Sequence, residues 1–213
     1  MLDKSIVEKV LLRAAETGAD FAELFAEQGR DLHLSMGAGR INAATSGLES
    51  GAGIRLFKGD LTSYAYTNDL SEAGLMRAAA KAAAAIAENR LIKKINLNEQ
   101  RFENNHKFSI DLFGKSRGEL IDFMRRGSGR LYAESPLISR ADVGLSEKQR
   151  RVLVANSDGL WAEDERRYAR YSLSVIAEDG SEKFSCFRSR GGMCGCELFD
   201  AGKAEALAAE LVK

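Results

Sequence analysis

Proline, histidine and tryptophan are nearly missing from this chain: 213 residues hold one Pro, two His and one Trp. A catalytic centre built on imidazole therefore has only His33 and His106 to draw on. Net charge is missing as well, because 31 basic side chains balance 31 acidic ones. Nonspecific nucleic-acid binding needs a surplus of positive charge on one face, so no nucleic-acid partner is expected. The local pairs Arg125-Arg126, Arg150-Arg151 and Arg166-Arg167 read as solvated strand and helix ends. No run of about 18 apolar residues occurs, so no membrane-spanning helix and no membrane partner are expected. The opening segment MLDKSIVEKVLLRAAETG spaces its apolar residues for a helix and interrupts them with charge, unlike a leader peptide. Cys186, Cys194 and Cys196 are odd in number and crowded together, which is no disulfide framework and fits a reducing cytoplasm.

Motifs for common chemistries are also absent. Gly53-Ile-Arg-Leu-Phe-Lys-Gly lacks the terminal Lys-Ser/Thr of a phosphate loop and falls inside a hairpin. Gly37-Ala38-Gly39-Arg40 joins two strands, not a strand and a helix, and so makes no dinucleotide turn. No G-x-S-x-G nucleophile elbow occurs. His33 alternates with Leu32 and Leu34 and reads as a residue on the polar face of a strand, while His106 lies in a polar connection. Cys194-Gly-Cys196 with Cys186 offers three sulfurs, but a C-x-C without a second pair reads as incidental thiols. Glu163-Asp164-Glu165 is a poor acid–base dyad, because consecutive strand residues point to opposite faces. No catalytic, cofactor-binding or metal-binding residue is assigned on these grounds.

What is present is an apolar fraction of 45%, enough for a sizeable core. Residues 3–17 space Ile6, Val7, Val10, Leu11, Ala14 and Ala15 on one helical face, with Asp3 as a cap and Gly18 as a stop. Short strands follow to Gly47, turning at Gly29-Arg30-Asp31 and at Gly37-Ala38-Gly39. Residues 50–67 form a hairpin around Lys58-Gly59-Asp60, with Gly51 and Gly53 marking a bulge or a closely packed backbone. An alanine-rich helix runs from about Leu70 to Glu88, capped by Asp69 or Ser71. Residues 89–111 are a polar, Asn-rich connection with room for a short extended piece. Ser116-x-x-Glu119 is a capping box for a third helix, which Gly127-Ser128-Gly129 interrupts or ends. Strands return at 138–148, 150–159, 161–179 and 182–190, before a glycine-bearing run and a last helix.

The two halves share the order helix, strands, helix. LHLSMGAGRI parallels VLVANSDGLW, with Gly39 against Gly159. GIRLFKGDLTSY parallels LSVIAEDGSEKF, with the turn Lys58-Gly59-Asp60 against Glu178-Asp179-Gly180. The expected fold is α+β: two similar units, each an antiparallel sheet flanked by helices. Residues 1–90 are the first unit, 91–112 the connection and 113–213 the second. Connections are too short and helices too few for a doubly wound parallel sheet.

The stretch GADFAELFAEQGRDLHLSMGAGRINAATSGLESGAGIRLFKGDLTSYAYTNDLS, followed by an alanine-rich helix, resembles the first domain of the TldD/PmbA family, its TldD branch most. The carrying features are Gly51-x-Gly53-Ile-Arg55, Gly59, Tyr64-Ala65-Tyr66-Thr67-Asn68 and the acidic strand from Asp20 to Glu27. The second half resembles the region that follows in that family, though Gly191-Gly192-Met-Cys-Gly-Cys196 stands where a cleaner glycine run is usual. The resemblance implies a cytoplasmic zinc metallopeptidase, a hydrolase of unfolded or small peptides, working as a homodimer or as a heterodimer with a PmbA-type subunit. It also carries an older label as a modulator of DNA gyrase. Family zinc sits on a His-Glu-x-x-x-His helix and a later cysteine, and no such pair occurs in this sequence. The expectation is therefore the N-terminal, non-metal-binding half of such an enzyme, inactive alone. Zinc would belong to a C-terminal half, and this half would scaffold, dimerise and admit peptide. The alternative is a free-standing protein-interaction module without peptidase activity.

Overall fold

The computed structural model describes residues 1–86, 95–102, 109–111, 113–200 and 202–212. Their elements are α1 (Lys4–Ala15), β1 (Phe21–Gly37), β2 (Arg40–Lys58), β3 (Leu61–Thr67), α2 (Glu72–Ala84), β4 (Asn98–Gln100), α3 (Arg117–Glu134), β5 (Ile138–Asn156), β6 (Leu160–Asp179), β7 (Glu182–Gly192), a 3-10 turn (Cys196–Phe199) and α4 (Lys203–Leu211). The strands run in the order β3-β2-β1-β5-β6-β4, with β7 also paired to β6. The β2–β3 and β6–β7 pairs are antiparallel, and only the short β4 is shown parallel to its neighbour β6. The fold is α+β. The order helix, three strands, helix occurs twice, as α1-β1-β2-β3-α2 and α3-β5-β6-β7-α4. Turn glycines match between the copies: Gly39 (φ 74) and Gly159 (φ 97) precede the second strand of each, Gly59 (φ 51) and Gly180 (φ 61) the third. Positive φ is open to glycine without a Cβ clash, which is why these sites align when little else does.

Two compact units emerge, and both are discontinuous in sequence. The first gathers Met1–Gly29, Leu48–Glu103 and Arg150–Glu165; the second gathers Arg30–Gly47, Asn104–Gln149 and Arg166–Lys213. Each unit holds its own repeat's helices and the hairpin tip of the other repeat.

In the first unit, α1 and α2 cover one sheet face. Val7, Val10 and Leu11 with Leu75, Ala79 and Ala82 pack on Leu24, Ile54 and Leu56, and Leu153 and Trp161 close the same core. Burying each Leu or Ile contributes about 1.5–3 kcal/mol, and the alanines of α2 let that helix sit close. The start of α1 is capped by Asp3, which accepts from the Ser5 N–H at 2.8 Å; α2 is capped by Ser71, which accepts from Gly74 at 3.2 Å. Carbonyls in the last turn of α2 also find partners: Ser63 Oγ donates to Ala82 O at 2.7 Å and Thr17 Oγ1 to Ala83 O at 2.8 Å.

In the second unit, Phe123 is the centre. Its ring meets Tyr171 edge-on at 4.7 Å and Phe199 at 5.6 Å, amid Leu34, Met36, Leu145 and Leu207. The Ser116–Glu119 capping box forms as the spacing predicts.

Two expectations about glycine are corrected. Gly29-Arg30-Asp31 is no turn: β1 runs through it, and Gly29 has no positive φ. A glycine among strand-forming neighbours weakens the strand without ending it. Gly127-Ser128-Gly129 does not stop α3, which continues to Glu134. A Cβ on Gly127 would lie 1.9 Å from Tyr171 Oη, so glycine is there for close approach. Burial of Leu120, Phe123, Met124 and Leu131 offsets its helix penalty of about 1 kcal/mol. The strand breaks near Gly47 and Gln149 are likewise absent, because β2 and β5 are each continuous through 19 residues.

Candidate functional site

Period-2 alternation along β1, β2 and β3 sends one set of side chains to the helices and leaves the other on an open face. Register pairs Gly53 with Tyr66 and Arg55 with Tyr64. The helix-facing set is Leu24, Ala26, Ala52, Ile54, Leu56 and Ser63, all buried. The open set includes Phe25, Tyr64 and Tyr66, the last 81% exposed. A large aromatic ring left this open is an unusual use of apolar surface.

These residues line a groove of about 360 Å³ within the first unit. It is lined by Ser50, Gly51, Ala52 and Gly53 of β2, by the aromatic residues Phe25, Tyr64 and Tyr66, and by the acids Glu27 and Glu49. Tyr64 and Tyr66 stack with centroids 6.5 Å apart and planes 28° apart. The Tyr64 ring covers Gly53, where a Cβ would meet its hydroxyl at 2.3 Å. This is the cross-strand cover of a glycine by an aromatic side chain that pins register in edge hairpins. Alternate glycines in the sequence signalled a close approach here, but not what approaches.

Charge on this face is mostly matched. Arg55 pairs with Glu23 at 2.6 Å and Arg150 with Glu27 at 3.3 Å. Glu49 has no ion-pair partner among the described residues. β3 is at one end of the strand order, so among the described residues its outer main-chain groups meet no neighbouring strand.

The other residues weighed from sequence fall elsewhere. His33 is exposed on β1, and His106 lies outside the described residues. Met1 and Arg151 meet the acidic run, the terminal amine 3.7 Å from Glu163 and Arg151 Nε 3.1 Å from Glu165. The cysteines are dispersed in environment: Cys186 is exposed on β7, Cys194 half-buried and Cys196 buried. Cys196 Sγ donates to Glu147 Oε1 at 2.9 Å, and that carboxylate, wholly buried, also accepts from the Phe113 N–H at 3.4 Å. Burial, reinforced by Glu147, pushes the Cys196 thiol up to about 11. Burial also raises Cys194, with the Glu197 charge adding to it. Neither is an activated thiolate. Among the described residues no group of three or more His, Cys, Asp or Glu side chains could hold a metal ion. The donor set of the described residues does not fit a zinc site. No described helix is long and apolar enough to cross a membrane.

Comparison with known proteins gives two family matches in chain order. Residues 22–87 match PmbA/TldA metallopeptidase domain 1, and residues 110–213 match the PmbA/TldA metallopeptidase central domain. Among curated relatives, a metalloprotease TldD homologue of Haemophilus influenzae is 25% identical over 184 residues, covering 84% of this chain and 38% of the relative. A metalloprotease TldD homologue of Buchnera aphidicola is 28% identical over 144 residues, covering 68% and 30%. The chain thus spans less than half the length of the curated relatives it matches. Among solved structures, a candidate modulator of a DNA gyrase from Thermotoga maritima superposes with a TM-score of 0.75 at 14% identity, over 98% of this chain and 46% of that one. TldE from Thermococcus kodakarensis gives 0.71 at 20% identity, over 96% and 46%. At these identities the structural likeness carries the fold alone.

Proposed function

The chain belongs to the PmbA/TldD metallopeptidase family, and from that premise we propose that it is the non-metal-binding region of a TldD-type peptidase acting on unfolded or small peptides. Hydrolysis, with its zinc, belongs to other parts of such a protein. This region scaffolds, contributes to dimerisation with a like or PmbA-type subunit, and admits extended peptide. The observation that carries the reading is the pair of domain matches in chain order.

Peptide admission has a concrete route. An extended peptide adds to the free side of β3 through main-chain hydrogen bonds, which makes binding tolerant of sequence. That tolerance suits an enzyme for unstructured chains. A face for a partner is available on β7: all its residues are exposed, with Phe184 and Phe187 at 58% and 52%. Two large aromatic side chains left open on one strand are the kind of surface that a subunit covers.

The test is a titration of unstructured peptides into this chain, with alternate-residue backbone N-methylation as the control. Saturable binding that N-methylation abolishes supports strand addition. No binding at millimolar peptide sinks the peptide-admitting role.

A further inference from the structure

We infer that the groove under Tyr64 and Tyr66 receives a cationic side chain, the ammonium of Lys or the guanidinium of Arg, from a peptide lying along the β2–β3 hairpin. The inference rests on the peptide-admitting reading and narrows its substrate class to extended segments with a basic residue.

Four features converge. Gly51 carries no side chain, so a long substituent reaches the backbone there, beside the Tyr64 ring that covers Gly53. The walls are aromatic faces, and their quadrupole attracts a cation within about 6 Å of a ring centroid. Glu49 lines the groove with a charge that no described cation matches, and Glu27, paired with Arg150, adds a second carboxylate. The Thr67 carbonyl lies at the same end, 3.2 Å from where a Cβ on Gly51 would sit, and Asn68 supplies an amide beside it. Acceptors, a carboxylate and two π faces around an open slot suit a cation on a flexible stem.

A proline-rich ligand would also use stacked tyrosines, since aromatic-lined grooves take polyproline helices. It has no use for an unmatched carboxylate. A purely apolar side chain would leave Glu49 partly desolvated without a partner, which is costly.

The experiment uses four fluorescent nonapeptides of Ser, Thr and Gly that differ at the central residue: Lys, norleucine, Glu or Pro. Binding to this chain and to its Glu49→Gln and Tyr66→Ala variants is read by fluorescence anisotropy. Both substituted residues are exposed, so circular dichroism should show both variants folded. The Lys peptide should bind about tenfold more tightly than norleucine, as expected of one exposed cation–π contact plus one ion pair. Both variants should erase most of that ratio, and added salt should shrink it. Equal binding of all four peptides overturns the cation assignment while leaving peptide admission standing. Tightest binding by the Pro peptide overturns it in favour of polyproline recognition. Binding by none, up to millimolar peptide, overturns both.

Discussion

The Tyr64 ring lies directly over the Cα of Gly53, so close that a Cβ there would meet the phenol hydroxyl at 2.3 Å and two ring carbons at 2.8 Å. The ring is 62% exposed and free to swing away. Gly53→Ala should therefore change stability by no more than about 1 kcal/mol, as most surface substitutions do, while expelling Tyr64 from its place. Urea denaturation checks the first part. Loss of the Tyr64–Tyr66 ring contact in aromatic NMR spectra, together with weaker peptide binding, checks the second.

Gly127 and Tyr171 repeat that relationship where nothing can swing away. The Tyr171 ring is 2% exposed, and a Cβ on Gly127 would lie 1.9 Å from its hydroxyl. Gly127→Ala should cost about 1–3 kcal/mol by overpacking. The Tyr171 hydroxyl has no hydrogen-bond partner among the described residues. Tyr171→Phe should accordingly be neutral or stabilising by up to about 1 kcal/mol. The double variant should recover much of the loss, a non-additivity that a double-mutant cycle of denaturation midpoints measures.

Helix starts set the acid response. Hydrogen bonds from Ser5, Ser71 and Ser116 hold Asp3, Asp69 and Glu119 below the usual carboxylate range. A depressed carboxylate contributes stability above its unfolded pKa and loses it as pH falls through the folded one. The first turns of α1, α2 and α3 should fray together below the ordinary carboxylate range, seen as faster amide exchange at Ser5, Ser71 and Ser116. Ser116→Ala should cost about 1 kcal/mol at neutral pH, as loss of a helix N-cap does.

The thiols order themselves by burial. Cys186 should react with a thiol reagent at neutral pH in the folded protein, whereas Cys196 should wait for unfolding. Its thiol is raised above the unfolded value, so the stability it contributes is complete below that value and drains away as pH climbs towards about 11. A denaturation midpoint that falls over that alkaline window, and falls less in a Cys196→Ser variant, is the expected result.

The sequence made the helices legible through their caps. Asp3, Ser71 and Ser116 act where the spacing places them, because a cap is decided by the residues within one turn. The hairpin turns at Gly59 and Gly180 were legible for the same local reason. Gly29 and Gly127 misled, since their roles depend on a strand ladder and on Tyr171, 44 positions away from Gly127. The interleaving of Arg150–Glu165 with the first unit had no local signature either. Of the groove, the sequence showed Gly51, Gly53 and the Tyr64–Tyr66 pair as features, but only cross-strand register joins them to Phe25, Glu27 and Glu49.

Amide hydrogen exchange of this chain with and without an unstructured, lysine-bearing peptide tests the central claim most directly. Binding along the hairpin predicts slowed exchange at Leu61–Thr67 and around Gly51 and Gly53, with α3 and α4 unchanged. Saturating peptide that leaves Leu61–Thr67 exchanging as before, or protects only the second unit, would contradict it.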